Sequence, residues 1–454
     1  MKVLLVRPPR IKQAVALGEF MYSEPIGLEM VYTMLEDSHQ VEILDLMSEK
    51  VAIEDKMREF KPQVVGITTL CIDVPIVKDL AERVKGYDPS IMTVIGGTQT
   101  FLNSKAFFID SVDHVMKYTT TNTIKELFGY LEREENPPVI DGICSRVNKY
   151  KTTSTYGINE YVRPNRASTS RYRRNYTYFG YKPCAIMGTA QGCSKVCRFC
   201  LRWRIEGPTE KYFSMDSVKD EIKSIQEENI MIFDNDFLHN SDRIKELCDF
   251  LEKEQIYKNF ICYASVNSIL KNKEAIKRFR SLGLKAVLLG YETFKDEELQ
   301  KYEKKSSVQN NVEANNFTKE IGLDVWASFM IHPDWSIEDF KSFRRYIKIL
   351  NPETSTFSPL TPFPNLPLYQ EYGDRLLVTE KDYERWSFGQ VTVMPSNMSL
   401  RRYYLEILKT NLYVNLPLEN IKYLTKRFGI FSIFRLFRGS VTLFIKYIKL
   451  MLGY

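Results

Sequence analysis

Three cysteines, Cys193, Cys197 and Cys200, lie within one stretch of eight residues. Three thiolates can bind three irons of a [4Fe–4S] cluster and leave the fourth iron open to a ligand that is not protein. A zinc site needs a fourth ligand, and no His lies near this loop. Cys184 is the only nearby candidate, but its apolar neighbours predict a buried strand residue instead. The spacing therefore favours an iron–sulfur cluster with one open iron.

The composition is typical of a soluble globular chain with two or three domains. The 454 residues are 44% hydrophobic and 26% charged. The other cysteines are scattered, so the eight together do not form a disulfide framework. Without a recognisable signal peptide, we expect the chain to stay in the reducing cytoplasm.

The net charge of +6 is unevenly distributed along the chain. Residues 401–454 hold ten Lys or Arg and two Glu, so the basic character belongs to the tail. Residues 171–178 interleave Arg with Tyr, a pattern that also occurs in nucleic-acid-binding strips. We interpret this stretch as part of a connector between domains and expect no nucleic-acid partner.

Strands alternate with helices over the first part of the chain. Short apolar runs at residues 1–9, 41–45, 64–68 and 92–97 predict strands, and helical periodicity separates them. Such alternation predicts a parallel sheet covered on both faces, which binds ligands beyond the carboxyl ends of its strands. Pro8, Thr68, Gly96 and Gly97 fall at those ends.

The spacing Cys-x3-Cys-x2-Cys, with Phe199 just before the last cysteine, resembles the signature of radical S-adenosylmethionine (SAM) enzymes. The resemblance implies that Cys193, Cys197 and Cys200 bind the cluster and that Phe199 lies near the adenine of SAM. In the family, SAM chelates the open iron and is split into a 5′-deoxyadenosyl radical that abstracts hydrogen from carbon. A cluster that only carries electrons is the alternative.

The first domain resembles the cobalamin-binding domain that precedes many radical SAM cores. The matching pieces are Arg7-Pro8-Pro9, Pro25-Ile-Gly-Leu28, Val65-Gly66-Ile-Thr68-Thr69 and Ile95-Gly96-Gly97. They imply cobalamin contacts at Pro8, Gly66, Thr68, Gly96 and Gly97, where the glycine pair lets backbone approach the corrin. No Asp-x-His-x-x-Gly motif is present, which implies that no His binds the cobalt. The alternative is a domain that has lost its cobalamin.

Six strand-then-helix repeats after residue 182 match the partial (β/α)6 barrel of the family, whose chemistry gathers at the carboxyl ends of the strands. Gly290-Tyr-Glu292-Thr resembles the turn whose Glu contacts SAM. Asp234 and Asp236 resemble the acidic residues after the second strand, with roles in SAM binding, substrate contact or helix capping. His332 and Asp334 depart from the family turn, and they fit a substrate or proton-transfer role and a rigid turn equally well.

The predicted fold class is α/β, with four segments. These are a Rossmann-like cobalamin-binding domain (1–145), a linker (146–182), the radical SAM barrel (183–378) and a small, mostly helical extension (379–454). Arg435, Arg438, Lys446 and Lys449 form a basic stripe on the apolar tail. This pattern fits either a helix lying at the inner face of a membrane or a helix docked on the barrel.

The family resemblance, which includes similarity to members such as the hopanoid C-3 methylases, implies a cobalamin-dependent radical SAM enzyme that methylates an unactivated carbon. Its cofactors are then a [4Fe–4S] cluster, SAM and cobalamin, and its partners are a small-molecule, lipid or peptide substrate and a flavodoxin- or ferredoxin-type electron donor. A second hypothesis is a radical enzyme that couples, cyclises or oxidises its substrate, with cobalamin in another role or lost. A third is a non-catalytic iron–sulfur redox sensor.

Overall fold

The computed structural model describes residues 1–9, 21–133, 135, 139–145, 159–430, 441 and 444–451. Its strands are β1 (Lys2–Arg7), β2 (Met21–Tyr22), β3 (Gln40–Asp45), β4 (Val64–Thr68), β5 (Met92–Gly96), β6 (His114–Met116), β7 (Ile143–Ser145), β8 (Thr177–Tyr178), β9 (Cys184–Met187), β10 (Ala190–Gln191), β11 (Lys211–Tyr212), β12 (Asn229–Ile232), β13 (Asn259–Ala264), β14 (Leu284–Glu292), β15 (Asp324–Ile331) and β16 (Thr354–Pro359).

Its helices are α1 (Ile26–Leu35), α2 (Ile53–Phe60), α3 (Val74–Tyr87), α4 (Thr98–Leu102), α5 (Thr121–Glu132), α6 (Arg202–Glu206), α7 (Met215–Ser224), α8 (Ser241–Lys253), α9 (Val266–Lys271), α10 (Lys273–Ser281), α11 (Asp296–Lys301), α12 (Val308–Glu320), α13 (Ile337–Leu350), α14 (Pro367–Glu371), α15 (Leu400–Asn415) and α16 (Leu418–Phe428). Short 3-10 turns join several of them.

The first sheet has the strand order β3-β1-β4-β5-β6-β7. Its first five strands are parallel, as predicted, and β7 is antiparallel at the edge. Successive side chains of β1 point to opposite faces of the sheet, and both faces are buried. Leu4 and Val6 pack with α2 and α3 on one face, and Val3 and Leu5 pack with α1 and α5 on the other. The sequence pattern missed β6 and β7, which have three residues each.

The second sheet has six parallel strands in the order β16-β15-β14-β13-β12-β9, which confirms the predicted partial barrel. Cys184 is buried in β9, as expected. It belongs to a cluster of barrel residues, among them Met231, Ile261 and Leu288. Aromatic side chains from outside the barrel strands join this cluster, including Phe179 and, partly buried, Phe428. The interior is therefore filled by protein rather than open along its length.

The described part of the linker is more ordered than the extended connector that its composition predicted. Arg166–Asn175 form a kinked 3-10 segment, and β8 pairs with β2 of the first domain. Residues 146–158 of the predicted linker lie outside the described residues. The four segment boundaries stay predictions.

The C-terminal extension combines irregular chain with helices. After α16, residues 444–451 are helical, and Tyr447 packs on Tyr404 of α15 and donates a hydrogen bond to Gly389 O at 2.9 Å. Arg435 and Arg438 of the predicted basic stripe lie outside the described residues. Within the ranges given above, no helix is long and apolar enough to cross a membrane.

Candidate active site

The cysteine loop lies between β10 and α6, at the carboxyl end of the first barrel strand. Asn235, which follows β12, donates a hydrogen bond to Gly192 O at 3.0 Å. At the other end, the Trp203 indole donates to Cys197 O at 2.9 Å. The backbone of the loop is therefore held by groups outside it.

The three thiols of the loop are free, and Cys197 is the most buried of them. Burial raises the pKa of Cys193 to about 11, and it also raises the pKa values of Cys197 and Cys200. In the described part of the chain, no three His, Cys, Asp or Glu side chains are placed to hold a single metal ion. Three thiols in one loop fit a cluster, in which each thiolate binds a different iron.

Lys195, between two of the cysteines, ties the loop to the barrel. Its ammonium group pairs with Asp236 and donates to Ser265 Oγ at 2.6 Å. Asp236 also accepts from Ser268 Oγ at 2.7 Å and from Ser265 N at 2.8 Å. Although burial disfavours the charged carboxylate, Lys195 holds the pKa of Asp236 below its ordinary value. Asp236 is thus engaged by the cysteine loop itself.

Asp234 connects the first two barrel strands beside that loop. Its carboxylate accepts from Thr189 N at 2.7 Å and from Thr189 Oγ1 at 2.5 Å, and burial raises its pKa to about 6. The cap of α8 is Asn240, whose Oδ1 accepts from the backbone N–H groups of Asp242 and Arg243. The contacts of Asp234 therefore fix the strand end that leads into the cysteine loop.

Glu292 ends β14 in a left-handed backbone conformation, with φ of 64°, which is uncommon for residues other than Gly. Its side chain is buried and accepts a hydrogen bond from Lys304 Nζ at 2.5 Å. A Cβ atom on Gly290 would lie 2.1 Å from Glu292 Oε1. Gly290 thus leaves the space that the Glu292–Lys304 pair occupies.

Phe199 lies beside this pair. Lys304 Nζ is 5.7 Å from the centroid of its ring, and Tyr302 packs edge-on against it at 5.6 Å between centroids. Phe199 also joins an apolar cluster with Met330 of β15 and Leu360, which follows β16. The structure therefore brings Phe199, Glu292 and the cysteines together at the carboxyl end of the barrel.

His332, Asp334 and Trp335 make the contacts of a rigid turn. His332 Nδ1 accepts from Asp334 N at 3.1 Å, its Nε2 is 3.1 Å from Tyr372 Oη, and burial lowers its pKa to about 4. Asp334 accepts from Arg375 at 2.5 Å, and the buried Trp335 donates to Glu298 at 2.7 Å. His332 is therefore neutral at pH 7.

Of the predicted cobalamin residues, Pro8, Thr68, Gly96 and Gly97 lie at the carboxyl ends of their strands, and Gly66 lies inside β4. Gly97 has φ of 112°, and a Cβ atom there would lie 2.7 Å from Thr69 O. The neighbouring backbone therefore leaves no space for a side chain at position 97. A Cβ atom on Gly96 would meet only Met116 Cβ, at 3.9 Å, so this position leaves room for a ligand to approach.

The carboxyl edges of the two sheets meet. Helix α4, which follows Gly97, contacts α6, which follows the cysteine loop. Asn365, after the last barrel strand, donates to Leu102 O at 3.1 Å. Cys71, after β4, contacts Tyr383 of the C-terminal extension. A ligand at the edge of the first sheet would therefore lie close to the cysteine loop.

Sequence reasoning missed Lys195 and Lys304. Both are lysines in charged or polar runs that read as surface residues, and the partners of each are at least 12 residues away. The position of Lys195 inside the cysteine motif was the only local signal.

Two family models match the chain. Residues 20–128 match the B12 binding domain, and residues 187–347 match the Radical SAM superfamily. The chain belongs to the radical SAM enzymes that carry a B12-binding domain. The cysteine loop and Glu292 lie in the second matched region, and Gly66, Gly96 and Gly97 lie in the first.

Relatives with established names resemble this radical SAM enzyme over most of its length. The hopanoid C-3 methylase of Methylococcus capsulatus is 28% identical over 423 residues, covering 90% of this chain and 79% of the relative. The anaerobic magnesium-protoporphyrin IX monomethyl ester cyclase of Rubrivivax gelatinosus is 24% identical over 372 residues, covering 76% of this chain and 64% of the relative. The first relative is named as a methylase and the second as a cyclase, so the two relatives differ in the reaction for which they are named.

A solved structure shares the fold of this radical SAM enzyme. The cobalamin-dependent SAM radical enzyme OxsB, with aqua-cobalamin and SAM bound, matches with a TM-score of 0.73. The match covers 99% of this chain and 72% of that one, at 14% identity. The expected fold class is confirmed.

The cofactors of this radical SAM enzyme follow from its two matched domains. They are SAM and a [4Fe–4S] cluster in the barrel domain and cobalamin in the first domain. The three free thiols of the loop fit the cluster, and the open approach at Gly96 fits a flat macrocycle.

Proposed function

We propose that this enzyme transfers a methyl group from SAM, by way of cobalamin, to an unactivated carbon of its substrate. The observation that carries the proposal is the contact of α4 with α6, because it places the edge of the B12-binding domain beside the cysteine loop. The resemblance to the hopanoid C-3 methylase over 90% of the chain supports it.

The chain's own residues have defined parts in this proposal. Cys193, Cys197 and Cys200 hold the cluster. Glu292, fixed by Lys304, accepts hydrogen bonds from SAM, and a carboxylate is well suited to accept two at once. When bound, the cluster supplies the electron that splits SAM, and cobalamin carries the methyl group. Buried side chains of the barrel strands pack together in the interior and support the strand ends that carry these groups.

We propose that four residues of the first domain line the corrin: Pro8, Thr68, Gly96 and Gly97. Their shared position at the carboxyl edge of one sheet supports this role. For Asp236, Asp234, His332 and Asp334 we propose positioning roles, because each is engaged by partners within the protein.

We propose an apolar small molecule or lipid as the substrate. Two exposed apolar side chains flank the place where the sheet edges meet: Leu70 after β4 is 54% exposed and Phe388 in the extension is 63% exposed. Phe388 packs on Phe363, which follows the last barrel strand. Exposed apolar groups beside the proposed cofactor sites favour a substrate with little polarity.

We further propose that the C-terminal tail contacts an anionic membrane surface. Val441, Phe444 and Ile445 expose apolar side chains, and Lys446 and Lys449 lie on the described helical stretch 444–451. Tyr447 anchors this helix beside Gly389, next to Phe388. Sedimentation with vesicles containing anionic lipid tests this contact, and a matched sample with only neutral lipid is the control.

A radical reaction without methyl transfer is the second candidate. The resemblance to the magnesium-protoporphyrin IX monomethyl ester cyclase of Rubrivivax gelatinosus favours it. In that case the substrate radical would couple, cyclise or be oxidised.

Metal analysis and isotope labelling test the proposal. Protein purified without oxygen from cells supplied with cobalamin should contain about four irons and one cobalt per chain. With a chemical reductant it should split SAM to 5′-deoxyadenosine, and methyl-labelled SAM should transfer its label into a total lipid extract.

The outcomes separate the three hypotheses. Label in a product supports methyl transfer, and 5′-deoxyadenosine with an unlabelled, altered product supports the second candidate. No SAM cleavage would indicate a non-catalytic iron–sulfur protein. Cys197→Ala should abolish cleavage in either enzyme.

A further inference from the structure

The strand that leads into the cysteine loop has an open edge in the barrel sheet. Among the strands of the described residues, β9 is the last in the order and pairs with β12 alone. An unpaired edge leaves backbone groups that need partners. In this protein, Cys184 N donates to Tyr176 O at 3.1 Å, and Gly188 N donates to Tyr161 Oη at 3.2 Å. Both partners belong to the connecting segment.

The B12-binding domain reaches this edge directly. Between those two contacts, Ile186 N donates to Glu24 Oε1 at 2.5 Å, and Ile186 O accepts from Arg166 at 2.7 Å. Glu24 precedes α1 of the first domain, and its side chain is fully buried. A carboxylate of one domain and a guanidinium of the connector thus take the place of a neighbouring strand.

Charge pairs extend this contact into both domains. Arg166 pairs with Glu24 and Glu221, and Arg173 pairs with Glu24, Glu29 and Glu227. Glu24 and Glu29 belong to the first domain, and Glu221 and Glu227 belong to the barrel. All six side chains are at least 85% buried. We call these six residues the edge clamp.

Buried charges depend on one another more than surface pairs do. Removing one partner leaves the others desolvated and unpaired, which is strongly unfavourable. Breaking the clamp is therefore costly, and its contacts fix α1 relative to β9. Since β9 continues into the cysteine loop within a few residues, the same contacts fix that loop relative to the first domain.

We propose that Glu24, Arg166 and Arg173 are positioning residues that set the distance between the cluster and cobalamin. The inference rests on the proposed function, since it takes the cysteine loop as the cluster site and the first sheet edge as the cobalamin site. Methyl transfer requires reactants held in one geometry, and a displacement of about 1 Å can cost about a hundredfold in rate.

Glu24→Ala is the decisive variant, because it leaves Ile186 N and both guanidiniums without their shared partner. Glu24→Gln keeps the shape of the side chain and provides a milder version. Arg344→Met is the matched control, since Arg344 is also about 85% buried and pairs with Glu406 away from the domain seam. All variants are prepared as the cofactor-loaded full chain.

Two measurements follow. Pulsed electron paramagnetic resonance gives the distance between cobalt and the reduced cluster without any substrate. We expect one narrow distance in wild type and in Arg344→Met, a shifted or broadened distribution in Glu24→Ala, and an intermediate one in Glu24→Gln. Iron content should stay unchanged, because Thr189 and Asp234 hold the loop within the barrel.

In calorimetry, the two domains should unfold together in wild type and separately in Glu24→Ala.

An unchanged distance and a single unfolding transition in both Glu24 variants would overturn the inference. If wild type binds no cobalamin, the proposed function fails. Calorimetry alone then decides whether the clamp couples the domains, with separate transitions supporting it and one shared transition refuting it. If Glu24→Ala does not fold, Glu24→Gln carries both measurements.

Discussion

Glu292 combines a strained backbone with a buried charge pair. Left-handed φ values in residues other than Gly cost roughly 1–3 kcal/mol and persist where the surroundings enforce them. Here the β14 irregularity between Gly290 and Glu292 turns the carboxylate towards Lys304. Both groups lie beside Phe199. The backbone distortion is thus tied to the place where we propose that SAM binds.

Gly290→Ala should weaken SAM binding, because the new methyl group would overlap Glu292 Oε1. Displacing one charge-assisted hydrogen bond of about 1.5–3 kcal/mol corresponds to roughly ten- to hundredfold in affinity. Equilibrium binding of SAM to the cluster-loaded protein measures the change. Gly86→Ala is the control, since its Cβ would meet no atom within 4 Å. Equal SAM affinity in both variants would contradict this view of Glu292.

His332→Gln should leave SAM cleavage within a few-fold of wild type while lowering thermal stability. His332 is buried with a pKa of about 4, so at pH 7 it is a neutral imidazole and lacks the additional proton of an imidazolium acid. Loss of its contact with Tyr372 should cost about 1 kcal/mol, or a few degrees in Tm. Cleavage assays and thermal unfolding test this. A folded variant without cleavage would instead assign His332 to the chemistry.

At the scale of elements, the cysteine loop depends on the strand ends around it. Asn235 and Asp236 after β12 contact the loop, and Asp234 fixes the end of β9. Ser265, at the N-cap of α9, joins the same network. The loop is thereby held by side chains of the surrounding strand ends.

Lys195→Met should slow cluster assembly without removing any cysteine. The change leaves the Asp236 carboxylate buried without its cation and frees the middle of the loop. Iron content after reconstitution and protease sensitivity of the cluster-free loop are the measurements. Lys245→Met, which alters only an exposed pair with Asp242, is the control. Equal iron uptake and protease resistance in the two variants would show that the tether is dispensable.

At the scale of the whole molecule, the edge clamp holds four carboxyl groups and two guanidiniums. Burial, reinforced by Glu24, raises the pKa of Glu29 to about 8. Glu29 is therefore largely protonated at neutral pH, which reduces the excess negative charge at the seam. The charged and hydrogen-bonding groups facing it are Glu24, Arg166, Thr169, Arg173 and Tyr176.

Stability should fall as pH rises from about 4.5 to about 8, because the folded Glu29 holds a proton that the unfolded chain has released. The contribution is complete below the unfolded value and lost above the folded one. Glu29→Gln should flatten this part of the profile and leave the protein more stable at the alkaline end. Denaturant unfolding across that interval measures it. Parallel profiles for wild type and variant would refute the assignment.

Local patterns account for most of the fold that was predicted. The apolar runs and helical periodicity indicated both parallel sheets. The three-residue strands β6 and β7 were missed because so short a run has no measurable period. The linker's 3-10 segment was missed because its side chains are ordered by acidic residues far along the chain.

The sequence by itself determined the family and the fold class, because three cysteines at fixed spacing and alternating apolar runs are local features that survive without tertiary information. Only the tertiary structure decided how the site is held. The contacts that hold it join residues far apart in the sequence. Lys304 contacts Glu292 across 12 positions, Lys195 contacts Asp236 across 41, and Glu24 contacts Ile186 of β9 across 162. Pairing between distant side chains leaves no periodic mark in a sequence, so these contacts appear only once the chain is folded.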